Sequence, residues 1–515
     1  MKPINPKYLG ENGIHRVPLW RIAGFACNNL ATNMYMFSMM YLSYYLIGFV
    51  GVATVLASSF STIMRIWDGV TDPFVGMIVD RTDGKFGKNR PFIVIGNIIL
   101  AITSYILFHF THLIGTPIET TAEGIQVLSA KDATLRFVFF TVVSAIYYIG
   151  YTCQCVVTKS AQTCMTNDPK QRPLFSIFDS AFVTVGYIGV GSIIIPNLTK
   201  KYGTLYSTEL FHDIWTVCAL ASAVLTAIAV ISIAPKDRRE FFGTGQAQKI
   251  GFKDYWDTIK NNRAIQMLVV AASTDKLASS TKTSTVTIVL YGIVTLGGAA
   301  GYAAVSGAFA VLSIPQMILA MVAIGTLATK LGQKSAMVIG SWGGIIGNAL
   351  LALLWLLGDP TSLLDANGNF VWGSFAIIHA VLTLGVGVFT ALAGNIVIPM
   401  TADCADYEVY RTGKYVPGMM GTLFSFVDKL ISSAAPMIAG LMFAAIGFAD
   451  KLPDVTTPYS TELRVVAIFL MYGMIILGNV CNVIAMKFYP LSKEKMEEIQ
   501  EEIAAIKAKA AATQQ

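Results

Sequence analysis

The chain has 515 residues, 54% of them hydrophobic and only 13% charged, with a mean hydropathy of +0.59. A soluble protein of that composition would expose far more apolar surface than water tolerates, so the bilayer is the natural solvent. The net charge of +6 sits mainly on one set of connectors, so topology explains it and no nucleic-acid partner is needed.

The first apolar segment begins near Leu19. It is too long for a signal-peptide core and has no small-residue cleavage site, so it is read as a transmembrane helix. Apolar runs of about 20 residues then give spans near 19–47, 51–79, 92–113, 135–165, 174–198 and 212–234. After a charged connector come spans near 263–294, 298–328, 335–357, 373–402, 418–447 and 463–488. The expectation is an all-α polytopic membrane protein of twelve helices in two six-helix halves, 1–234 and 263–490, with a connector at 235–262 and a tail at 491–515. The tail segment SKEKMEEIQEEIAAIKAK alternates charges at helical spacing and reads as a solvated helix.

Orientation follows from Lys and Arg. Arg81, Lys85, Lys88, Arg90, Lys236, Arg238, Arg239, Lys330 and Lys334 lie on one side, while the other holds only Lys131, Arg136, Lys200, Lys201, Lys451 and Arg464. Both termini are therefore expected in the cytoplasm, with the chain in the cell (inner) membrane. Equivalent loops repeat at equivalent places: GMIVDRTDGKFGKNRP after the second span and GTLATKLGQKS after the eighth, TNDPKQRPLFS after the fourth and DYEVYRTGKYVPGMMGTLFS after the tenth. Repeated halves suit a carrier with a central site. The seven cysteines have no paired spacing and read as reduced packing residues.

Five basic residues (Arg65, Lys159, Lys276, Lys282, Lys429) and five acids (Asp68, Asp72, Asp179, Asp275, Asp428) lie inside spans. Each charge in hydrocarbon costs at least ~2.5–3.5 kcal/mol, so each should face a polar cavity and a partner. Asp68 and Asp72 are four apart, on one helix face, and offer hard oxygens for a small cation such as Na+, or a shared proton. They serve equally as structural partners of Arg65 and Lys159. Thr152, Cys155 and Lys159 share a face of the fourth span, from which Lys159 either joins the acids or snorkels. The seventh span reads STDKLASSTKTST in its middle, too polar to face lipid, and carries Asp275 and Lys276. Lys429 lies deep in the eleventh. Asn28, Asn29 and Asn33, followed by Tyr35, Tyr41, Tyr44 and Tyr45, and then Tyr147, Tyr148 and Tyr151, offer amides and rings suited to sugars, although tyrosines also mark interfaces and helix contacts.

RIWDGVTDPFVGMIVDRTDGKFGKNRPFI, TNDPKQR and ADYEVYRTGKYVPGMMGTLFSFVDKL together resemble the glycoside–pentoside–hexuronide:cation symporters, the major-facilitator group that contains the melibiose carrier. The resemblance runs from about Trp20 to Tyr489. It implies a major-facilitator fold, alternating access and symport with H+ or Na+. It also implies that Asp68, Asp72 and Thr152 belong to the cation site and that Lys429 lies near both sites. The family's fourth-span acid falls here at Cys155 and the aromatic after it at Lys159. Its first-span substrate aspartate falls at Asn29, and the fifth-span arginine near Asp179 or Ser180. The sugar clamp is thus rebuilt, and Lys159 is expected to act as a tethered cation that disfavours sodium.

The expected function is import of a sugar or glycoside, oligosaccharides and uronides included, with Asn29, Asn33, Tyr148, Asp179, Asp275, Lys276 and Lys429 toward substrate. Lys276, Lys282 and Lys429 favour an anionic sugar. Alternatives are an uncoupled facilitator, a lipid-type carrier of the same fold and a non-transporting sensor. An enzyme is not expected, because the five histidines are scattered and no Gly-rich Lys loop or His–Glu helix pair occurs. No cofactor is expected beyond the coupling ion, and no partner beyond solute and bilayer, with the chain acting as a monomer.

Overall fold

The computed structural model describes residues 16–82, 86–116, 126–166, 171–238, 260–323, 331–412 and 429–499, with 84, 119–120, 427 and 501–502. It is helical apart from a two-residue antiparallel pairing, Glu119 with Val127 and Thr120 with Gln126. Among the described residues eight helices are long and apolar enough to cross a membrane: Arg90–Leu113, Ala130–Thr158, Leu174–Tyr202, Thr208–Ile233, Gly298–Ala320, Gln333–Leu357, Ser374–Gly394 and Thr461–Phe488. The expected spans at 19–47, 51–79, 263–294 and 418–447 fall outside that set. In the first three, asparagines or charges interrupt the apolar run, and the start of the fourth lies outside the described residues, which leave there a shorter apolar helix, Lys429–Ala445.

The chain forms two compact units. The first comprises Met1–Gln246, Gly298–Ala310 and Phe443–Thr457, and the second Ala247–Gly297, Val311–Met442 and Pro458–Gln515. In the first unit the principal helices are α1 (Leu19–Met39), α2 (Thr54–Arg81), α3 (Arg90–Phe110), α4 (Ala130–Ser160), α5 (Arg172–Gly186) and α6 (Thr208–Ile233). Ser129 and Ser207 cap α4 and α6 by accepting from Asp132 N–H and Leu210 N–H, with an acid in each first turn. Helix α1 packs on α5 and α6, α3 on α4 and α6, and α2 on α4. The α3–α4 crossing is close: a Cβ on Gly96 would lie 2.9 Å from the Gly150 carbonyl oxygen, and one on Gly150 would lie 3.0 Å from that of Gly96.

Two buried charges fix the ends of these helices. Arg136 is fully buried and donates to the carbonyls of Ile114 (2.7 Å), Phe49 (2.7 Å) and Thr116 (2.8 Å). At the other end buried Asp237 accepts from the N–H groups of Lys88 (3.1 Å), Asn89 (3.0 Å) and Arg90 (2.9 Å), and from Asn89 Nδ2 (2.9 Å). A residue at the start of the connector thereby satisfies the orphan donors at the start of α3. Gly87, at φ +87°, lies against that carboxylate, where a Cβ would collide.

The second unit is built on α7 (Arg263–Ser280), α8 (Gln333–Leu357), α9 (Ser374–Asn395), α10 (Val397–Thr412) and α11 (Met474–Phe488). Helix α7 packs on α11 and α10, and α8 on α9 and α11. Asn262 caps α7 at Ile265 N–H and donates to buried Glu408, which also pairs with Arg411 at 3.1 Å. Arg464 repeats the device of Arg136, donating to the carbonyls of Trp355 (2.6 Å), Leu356 (3.1 Å) and Gly358 (3.0 Å) at the C-terminal end of α8.

Candidate functional site

Two in-span charges of the first unit, Arg65 and Asp68, meet where α2 packs on α4. Asp68 is fully buried. One carboxylate oxygen accepts from Thr152 Oγ1 at 2.8 Å, and the other lies 3.5 Å from Arg65 Nη1. The Arg65 guanidinium stands over the Tyr151 ring at 5.4 Å, and Tyr148 sits edge-on to Tyr151 at 6.1 Å. Asp72, one turn beyond Asp68, and Cys155, three residues after Thr152, are half-buried. Asp68 and Thr152 thus meet across α2 and α4. The Lys159 side chain and Asp428 lie outside the described residues.

Arg65 is the residue that the sequence reading placed only among possible structural partners. Its signal was present in RIWDGVTD, since it precedes Asp68 by three residues and so shares its face. At 3.5 Å its contact with Asp68 is long for a charge-assisted bond. The carboxylate's short bond is to a neutral hydroxyl, and its cationic neighbour is held partly by a ring. Among the described residues no group of three His, Cys, Asp or Glu side chains is arranged to hold a metal. A coupling Na+ would have to draw on Asp68, Asp72 and Thr152 oxygens beside a guanidinium.

Of the three first-span asparagines, Asn28 is buried and donates to Thr158 Oγ1 (2.8 Å) and the Gln154 carbonyl (3.2 Å), while Thr32 donates to Gln154 Oε1 (3.0 Å). That network joins α1 to α4 and leaves Asn28 no role toward solute. Asn29 and Asn33 are half-buried, with Asn33 Nδ2 donating to the Asn29 carbonyl at 2.8 Å. Tyr148 is buried and Asp179, on α5, half-buried. Tyr45 belongs to a packed aromatic group with Phe49, Phe108, Phe140 and Phe211. In the second unit Asp275 is half-buried, Lys276 exposed on α7, and Lys429 half-buried.

The histidines are not all scattered. His109 and His212 stack at 3.9 Å and 8°, with His112 5.9 Å from His212. His109 and His112 are three apart, but His212 is a hundred residues away, so the group appears only when α3 and α6 pack.

Eight helices long and apolar enough to cross a membrane fit a multi-pass membrane protein. Residues 24–493 match the family described as MFS/sugar transport protein, and the chain belongs to that family. It is therefore a secondary transporter of the sugar-carrying, major-facilitator kind. A glucuronide carrier protein homolog of Escherichia coli (strain K12) is 24% identical over 496 residues, covering 94% of this chain and 95% of that one. The isoprimeverose transporter of Lactiplantibacillus pentosus is 22% identical, covering 92% and 88%. Among solved structures the nucleoside transporter NupG aligns with a TM-score of 0.55 at 12% identity, over 92% of this chain and 100% of that one, a likeness of fold.

Proposed function

We propose that this protein imports a glycoside or uronide by alternating access, driven by proton entry, through twelve spans arranged as two six-helix halves with both termini in the cytoplasm. It works as a monomer in the inner membrane. The glucuronide and isoprimeverose relatives support the solute class. The observation that carries the coupling ion is the Asp68 carboxylate between Thr152 and Arg65. Arg65 opposes either added positive charge, but a Na+ needs several oxygens at once beside that guanidinium, while a proton needs one oxygen only. In this reading Arg65 is a tethered cation beside the acids, alongside Lys159. Asn29, Asn33, Tyr148 and Asp179 from the first unit, and Asp275, Lys276 and Lys429 from the second, face the solute. Asp72 and Cys155 border the coupling site.

The test is uptake of labelled neutral glycosides and uronides in vesicles, with pH and sodium gradients imposed independently. Accumulation should follow the inward proton gradient and be lost in Asp68→Asn, while downhill equilibration persists. Sodium-driven accumulation at equal pH on both sides would overturn the proton assignment. Neutral glycosides outcompeting uronides would remove the anionic-sugar preference.

A further inference from the structure

The two segments that join the first unit from the far half of the sequence, Gly298–Ala310 and Phe443–Thr457, are covalently continuous on both sides with the second unit. Their anchoring is dense and polar. Asp454, 1% exposed, accepts from Thr204 Oγ1 at 2.6 Å and from the N–H groups of Leu205 (3.2 Å) and Val455 (2.7 Å). Its own N–H donates to Thr457 Oγ1 at 2.9 Å. Tyr44 donates to the Pro453 carbonyl at 2.6 Å and Tyr206 to that of Leu452 at 3.2 Å, and their rings meet edge-on at 5.5 Å. Lys451 Nζ stands 4.7 Å over the Tyr206 ring. Thr54 N–H, at the start of α2, donates to the Ala449 carbonyl at 3.0 Å. On the other segment Tyr302 shares a hydrogen bond of 2.5 Å with Tyr41, both buried.

We infer that residues 449–457 form an outer latch: a strap, keyed by Asp454, that holds the solute path shut to the outside in this structure and must release before solute enters. The inference rests on the transport reading above. A buried carboxylate needs its donors, and two of those of Asp454 come from Thr204 and Leu205, about 250 positions away in the chain. The partners of Ala449, Leu452, Pro453 and Asp454 lie at the start of α2, just after α1 and just before α6. A strap tied at once to these outer ends is a tie between elements that alternating access requires to part. The ties that hold it are hydrogen bonds, whose groups can exchange protein partners for water when it lifts, while Leu452 and Val455 are the apolar side chains it buries. An apolar seal would instead expose its surface.

The labelling arm of the test needs no knowledge of the solute. Leu205 is fully buried beneath the strap and serves as a reporter when replaced by cysteine in the full chain, read against the native chain with its seven cysteines. Labelling of Leu205→Cys by a membrane-impermeant maleimide from outside should be slow. It should rise about tenfold, the effect of ~1.4 kcal/mol, on adding Asp454→Ala. It should rise by a smaller factor on adding Tyr44→Phe, which removes one hydroxyl and keeps the ring. Paired Thr204→Cys and Asp454→Cys should oxidise to a disulfide that stops uptake until reductant is added. Unchanged labelling in both variants, failure of the pair to oxidise, or full uptake through the formed disulfide would each overturn the latch. A native chain that takes up no sugar would strike at the transport reading, while the labelling still judges the latch.

Discussion

Asp68 accepts a short bond from the Thr152 hydroxyl at 2.8 Å, and that bond is open to a clean substitution. Thr152→Val keeps the shape and removes the donor, and hydrogen bonds to charged groups contribute about 1.5–3 kcal/mol. Proton-driven accumulation should therefore fall by roughly ten- to a hundredfold, and Thr152→Ser should restore most of it. A second acid acts on stability. Asp403, on α10 beside a cavity of about 490 Å³ lined also by Gln333, Lys334, Tyr489 and Ser492, has its carboxyl pushed up to about 6 by burial and by neighbouring Asp406. An acid raised in the folded state binds its proton more tightly there than in the unfolded chain. Its contribution is thus fullest below the unfolded value of 3.8 and is lost as pH rises through about 6. Thermal unfolding in detergent should show Asp403→Asn more stable than the native chain at pH 7.5, with the gap closing toward pH 4. A gap that widens on acidification would contradict the burial argument.

Arg136 and Arg464 set the register of helix ends. Each donates to three backbone carbonyls, Arg136 to Phe49, Ile114 and Thr116 and Arg464 to Trp355, Leu356 and Gly358 at the end of α8. Arg136→Ala would leave those oxygens without donors, and at about 1–3 kcal/mol for each orphaned group the melting temperature should fall by several degrees. Arg464→Ala should do the same, and because the two sites share no partner the double variant should show nearly the sum. Both arginines were visible in the sequence only as outer-side charges. Helical spacing exposes relations within one helix, such as Asp68 with Arg65 or the shared face of Asp68 and Asp72. The apolar runs likewise mark most helices. Spacing is silent on partners far apart in the chain: Asn28 with Thr158, Asp237 with Asn89, His109 with His212. Loop acids such as Asp454 carry no periodicity at all. The asparagines of α1 show the same limit, because an amide that glues helices and one that faces solute look alike until the neighbouring helix is placed.

For the whole molecule, the asymmetry of Lys and Arg predicts which side each loop faces. A reporter phosphatase active only outside the cytoplasm should be silent when fused at Gln515 and active when inserted in the loop at 365–369, where Asp365 accepts from Asn367 N–H and Asn369 N–H in an exposed turn. Activity at Gln515 with silence in the loop would reverse the orientation. The cap formed by Asp237 has a consequence for cutting the chain in two. Since α3 draws its starting donors' partner from the first residues after α6, a gene divided beyond position 238 leaves the first fragment self-sufficient at that corner. One divided at 233 hands the cap to the other fragment. Co-expressed fragments 1–246 and 247–515 should therefore reconstitute uptake better than 1–233 with 234–515. Asp237→Ala should erase the advantage, making a single carboxylate the boundary between a half-molecule that can be made alone and one that cannot.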